Sequence, residues 1–86
     1  MKTDFNGLLV VALTGAKATA KATTKDLNKR GLLRGIGARK EEFEARLAAE
    51  LEQNIRQLMD QQDSNFSDLV RATKRSLDVT ILDFAK

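Results

Sequence analysis

Apolar and small side chains recur at three- and four-residue steps along most of this chain, which is the spacing of an amphipathic α-helix. The first such stretch predicts a helix over residues 3–29. At about 100° per residue, its apolar positions share one broad face. These positions are Phe5, Leu8, Leu9, Ala12, Leu13, Ala16, Ala20, Thr23, Thr24 and Leu27.

Two further apolar stripes predict helices over residues 39–62 and 64–84. Leu58 and Val70 stand twelve residues apart, which is not a multiple of seven, so one continuous heptad seam cannot join the two stripes. The break in phase favours an antiparallel helical hairpin, with a single bent helix as the alternative. The first stripe holds Phe43, Leu47, Leu51, Ile55, Leu58 and Met59, and the second holds Phe66, Leu69, Val70, Thr73, Leu77, Ile81 and Phe84.

Two segments, one polar and one rich in glycine, separate the three apolar stripes. Segment 60–65 is wholly polar, and Asp63 or Ser64 is expected to cap the last helix. Segment 30–38 holds three glycines and reads as a basic interhelical loop, in which Leu32, Leu33 and Ile36 are expected to lie on a neighbouring helix. Residues 1–86 therefore form one small all-α domain of three helices, and so short a chain is expected to complete its core by oligomerisation.

The apolar run LLVVAL at residues 8–13 raises two further points. Val10 and Val11 lie off the apolar face of the first helix, so together with Leu8 they are expected to contact another subunit. The same run, followed by A-x-A-like cleavage sites at residues 16–18 or 18–20, also resembles the start of a secretory signal, although Asp4 weakens that interpretation. A membrane span is not expected, because one needs about 20 apolar residues.

Charge is divided unequally along the chain. Residues 1–40 carry nine basic and two acidic side chains, a net +7, whereas residues 41–86 carry six basic and ten acidic ones, a net −4. Such a division suits either contact between unlike halves of two subunits or binding of DNA or RNA. The candidate phosphate contacts are Lys17, Lys21, Lys25, Lys29, Arg30, Arg34, Arg39 and Lys40. Aromatic side chains are not interleaved with them, which disfavours stacking on single-stranded bases, and few Asn or Gln neighbour them, which disfavours base-edge readout. Binding would therefore be largely independent of base sequence and steeply sensitive to salt.

The sequence contains no His and no Cys, and no phosphate-loop or dinucleotide motif. Its carboxylates are spread over predicted helix surfaces, so no catalytic residue, metal, cofactor or small-molecule substrate is expected. The leading hypothesis is a non-catalytic helical assembly protein, either a homo-oligomer or a subunit of a larger particle, in the cytoplasm or a virion. Its size and composition would suit a phage or plasmid accessory protein. The alternatives are a nucleic-acid-binding accessory protein and a secreted or membrane-associated protein with an N-terminal signal.

Overall fold

The computed structural model describes residues 2–34 and 39–84, with side chains from Phe5 onward, and within them every regular element is a helix. The all-α class is confirmed. The helix count of three is wrong, because the helix predicted over residues 3–29 is divided in two at Gly15. The elements are α1 (Lys2–Thr14), α2 (Ala16–Lys29), α3 (Lys40–Met59) and α4 (Phe66–Phe84).

The division between α1 and α2 has a local cause. Gly15 leaves the helical region, with φ −89° and ψ 7°. Immediately before it, the Thr14 hydroxyl donates a hydrogen bond of 2.9 Å to the carbonyl of Val10, a side-chain bond that often bends helices. The backbone N–H of Gly15 still donates to the Val11 carbonyl at 2.9 Å, so α2 follows closely on from α1. The molecule is accordingly long, with extents of 42 × 21 × 18 Å.

Gly31 ends α2, as its position in the sequence predicts. It has φ +74°, the left-handed conformation that glycine adopts without steric cost. The Gly31 N–H donates to the Asn28 carbonyl and the Leu32 N–H to the Leu27 carbonyl, which together form a Schellman motif. Leu33 is buried behind this turn. Leu32 is exposed, which corrects the expectation that both leucines would be covered. Residues 35–38 of the predicted loop, including Ile36, lie outside the described residues.

The cap of α4 differs from the prediction. Asn65 rather than Asp63 or Ser64 is the capping residue, since its Oδ1 accepts from the Asp68 N–H at 3.1 Å while its own N–H donates to Asp68 Oδ2 at 2.9 Å. This reciprocal pair is a capping box with Asp in the usual Glu position. The Ser64 hydroxyl instead donates to the Leu58 carbonyl at the end of α3, at 2.9 Å.

The central element is α3, and the other three helices pack on it. It supplies most of the large buried side chains: Phe43, Leu47, Leu51, Ile55 and Leu58. Both α2 and α4 run antiparallel to it, α2 beside one edge of its buried face and α4 beside the other. Against α3, α2 presents the small side chains Ala16, Ala20 and Thr24, which permit a close approach of the two backbones. The connection from α3 to α4 is the antiparallel hairpin, with Phe43 edge-on to Phe84 at 5.5 Å between ring centroids.

Candidate helix-binding groove

An open groove of about 490 Å³ runs between α2 and α4, with α3 as its floor. Leu47 and Leu51 of α3 lie at its base. Thr19 and Thr23 form the α2 wall, because α2 and α4 pack mainly on α3 and leave a gap between themselves. The α4 wall consists of Phe66, Leu69, Val70, Thr73, Lys74 and Leu77.

The groove exists because α4 leaves two large apolar side chains near its N-terminal end, Phe66 and Val70, off its contact with α3. The side chains of α4 that are buried are Leu69, Ser76 and Thr80. The stripe of Phe66, Val70 and Leu77 lies about 80° further round the helix axis, at 3.6 residues per turn. The exposed fraction is 62% for Phe66 and 51% for Val70, values that are unusual for large apolar side chains on a helix with a packing partner beside it. The sequence stripe predicted over residues 66–84 is thus covered only in part: Leu69 is buried and Leu77, Ile81 and Phe84 are partly buried against the core, whereas Phe66 and Val70 are exposed.

A buried polar contact holds α4 in this rotation. Asn54 Nδ2 of α3 donates a hydrogen bond of 2.7 Å to Ser76 Oγ, and Ser76 Oγ donates in turn to the Ala72 carbonyl at 2.8 Å. The Thr80 hydroxyl donates to the Ser76 carbonyl at 2.7 Å. Turning α4 to bury Phe66 and Val70 on α3 would remove Ser76 from Asn54 and leave the Asn54 amide without this partner. The hydrogen bond therefore favours the open groove over a closed one.

The chemistry of the groove is that of an apolar contact surface. Lys74 is the one charged side chain among its lining residues, and it stands on the α4 wall, where its aliphatic stem adds to the apolar area. The Thr73 hydroxyl is already bonded to the Leu69 carbonyl at 2.9 Å, so it offers no free donor. Grooves of this kind bind the apolar face of an amphipathic helix, with side chains spaced three and four residues apart as anchors.

The three residues predicted as oligomer contacts lie on different sides of α1. Leu8, Val10 and Val11 are all exposed, while Leu9 between them is buried in the core. Val10 lies about 200° further round α1 than Leu8, so these two side chains point to different sides of the helix.

The predicted basic contacts divide into two groups. Lys17, Lys21 and Lys25 stand along the side of α2 that meets the glutamates of α3, where Lys17 borders a depression with Glu44 and Glu52. The other five lie at the end of the molecule where α2 gives way to α3, and two of these are already engaged. Arg30 Nε is 3.2 Å from Asp26 Oδ2, and the Arg39 guanidinium lies 4.6 Å from the ring centroid of Phe84. Lys29, Arg34 and Lys40 are exposed.

Sequence reasoning did not find the groove, although a signal for it was present. The most apolar residues of α4 and its small polar residues occupy adjacent faces. Ser76 and Thr80 lie at positions that contact α3, where leucine would be the usual residue.

Within the described part of the chain, no three His, Cys, Asp or Glu side chains are grouped to hold a metal ion. Nor is any helix within residues 2–34 and 39–84 long and apolar enough to cross a membrane. No protein-family model, curated protein or solved structure matches this chain.

Proposed function

We propose that this protein is a non-catalytic helical assembly protein that acts by binding an amphipathic helix in the groove between α2 and α4. The observation that carries the proposal is the rotation of α4. Its Phe66, Val70 and Leu77 stripe is turned to the open groove, while Ser76 and Thr80 occupy the contact with α3. An exposed and continuous apolar surface of this kind marks an interaction site on a small protein.

Cysteine labelling tests the proposal directly, because the natural chain contains no Cys to interfere. Val70→Cys places a thiol in the groove, and Leu82→Cys places one about 120° round the same helix, outside the groove, where Leu82 is 65% exposed. In dilute solution we expect both thiols to react with a maleimide at similar rates. A helical peptide with leucines at three- and four-residue steps should then slow labelling at position 70 and leave position 82 unchanged. Slow labelling at position 70 without any peptide, at the same rate at every protein concentration, would mean that α4 has turned onto α3, and the proposal would fail.

Nucleic-acid binding by the basic residues is the second proposal. Its support is the density of charge between Lys25 and Lys40, where six basic side chains accompany the single acidic Asp26. A gel shift at low salt that disappears when Lys29 and Arg34 become Gln would support it. The matched control changes Lys17 and Lys21, which stand beside Glu44 and should matter less. Equal effects of the two sets, or no shift, would count against it.

The N-terminal signal is the remaining proposal, and it carries least support. Leu9 of α1 belongs to the same buried cluster as Ile55 and Leu58 of α3. Removal of the first helix would therefore expose apolar surface of α3, a cost that a cleaved signal does not ordinarily impose. Intact mass of the protein from its native source tests this, since a start near residue 19 would restore the signal interpretation.

A further inference from the structure

We draw no further inference here: the strongest candidate, the apolar groove between α2 and α4 in whose wall Phe66 and Val70 are exposed, carries none beyond the proposed function, because nothing in the structure shows what covers it.

Discussion

Helices α3 and α4 have almost the same length, 20 and 19 residues, and both carry an apolar stripe, but α4 buries its stripe only in part. Its large side chains fill the core between its neighbours. In α4 the buried face is mostly small and polar, and Phe66 and Val70 are left at the edge of a groove. The difference shows that an apolar stripe indicates which face of a helix is buried without indicating which element packs against it. The stripe of α3 is buried by helices of the same chain, and for the exposed part of the α4 stripe we propose a helix from another chain.

The difference in burial between α3 and α4 is tested most strongly by changing one phenylalanine on each helix to alanine. Phe43→Ala should lower the free energy of unfolding by about 3–5 kcal/mol, because it leaves a cavity in the core. Phe43 is fully buried against Phe84, whereas Phe66 is mostly exposed. Phe66→Ala should therefore cost less than about 1 kcal/mol in dilute solution. Urea denaturation followed by circular dichroism measures both, and equal losses would show that α4 buries its stripe after all.

A second test enlarges side chains on the two faces of α4. Ser76→Leu forces a large group into the tight contact with α3, and we expect a loss of about 1–3 kcal/mol. Thr73→Leu, at the groove wall, meets open space and should change stability by less than about 0.5 kcal/mol. Thermal unfolding of the two variants in dilute solution provides the measurement. If Ser76→Leu were tolerated as well as Thr73→Leu, the rotation of α4 would not be held by its close contact with α3.

The contribution of the buried hydrogen bond is smaller. Asn54→Ala removes the donor to Ser76 Oγ, a bond of 2.7 Å, and should cost about 1 kcal/mol. Gln53→Ala, on the exposed neighbour, is the control for helix propensity. Because α4 would then be freer to turn, Asn54→Ala should also slow maleimide labelling of Val70→Cys. An unchanged labelling rate would mean that packing alone sets the rotation.

The smallest effect is expected at the surface ion pair between the two helices. Arg46 Nη2 lies 3.1 Å from Asp83 Oδ2, and both side chains are partly exposed. Asp83→Asn should cost less than about 1 kcal/mol, and added salt should reduce that difference. The exposed Asp78 forms no ion pair in the described part of the chain, so Asp78→Asn serves as the comparison. A larger loss that persists in high salt would indicate that the pair helps to orient α4.

Much of the local structure could be predicted because its causes are local. Helical periodicity places α3 and α4 to within a few residues, and Gly31 ends α2 through its own backbone conformation. Two local features were missed for reasons that neighbouring residues explain. The Thr14 hydroxyl and Gly15 together divide the first helix, and Asn65 displaces Ser64 as the cap because Asp68 completes a reciprocal pair with it.

The sequence by itself determined an all-helical chain, the residues that each helix could bury, and the unequal division of charge. Only the tertiary structure decided which of those residues are covered. The rotation of α4 depends on a hydrogen bond between Asn54 and Ser76, twenty-two residues apart, and on how closely small side chains let two backbones approach. The antiparallel course of α2 along α3 likewise brings Lys17 beside Glu44, although the two belong to different helices. Neither arrangement can be predicted from periodicity, because the spacing of apolar side chains identifies the apolar face of a helix but not the element that packs against it.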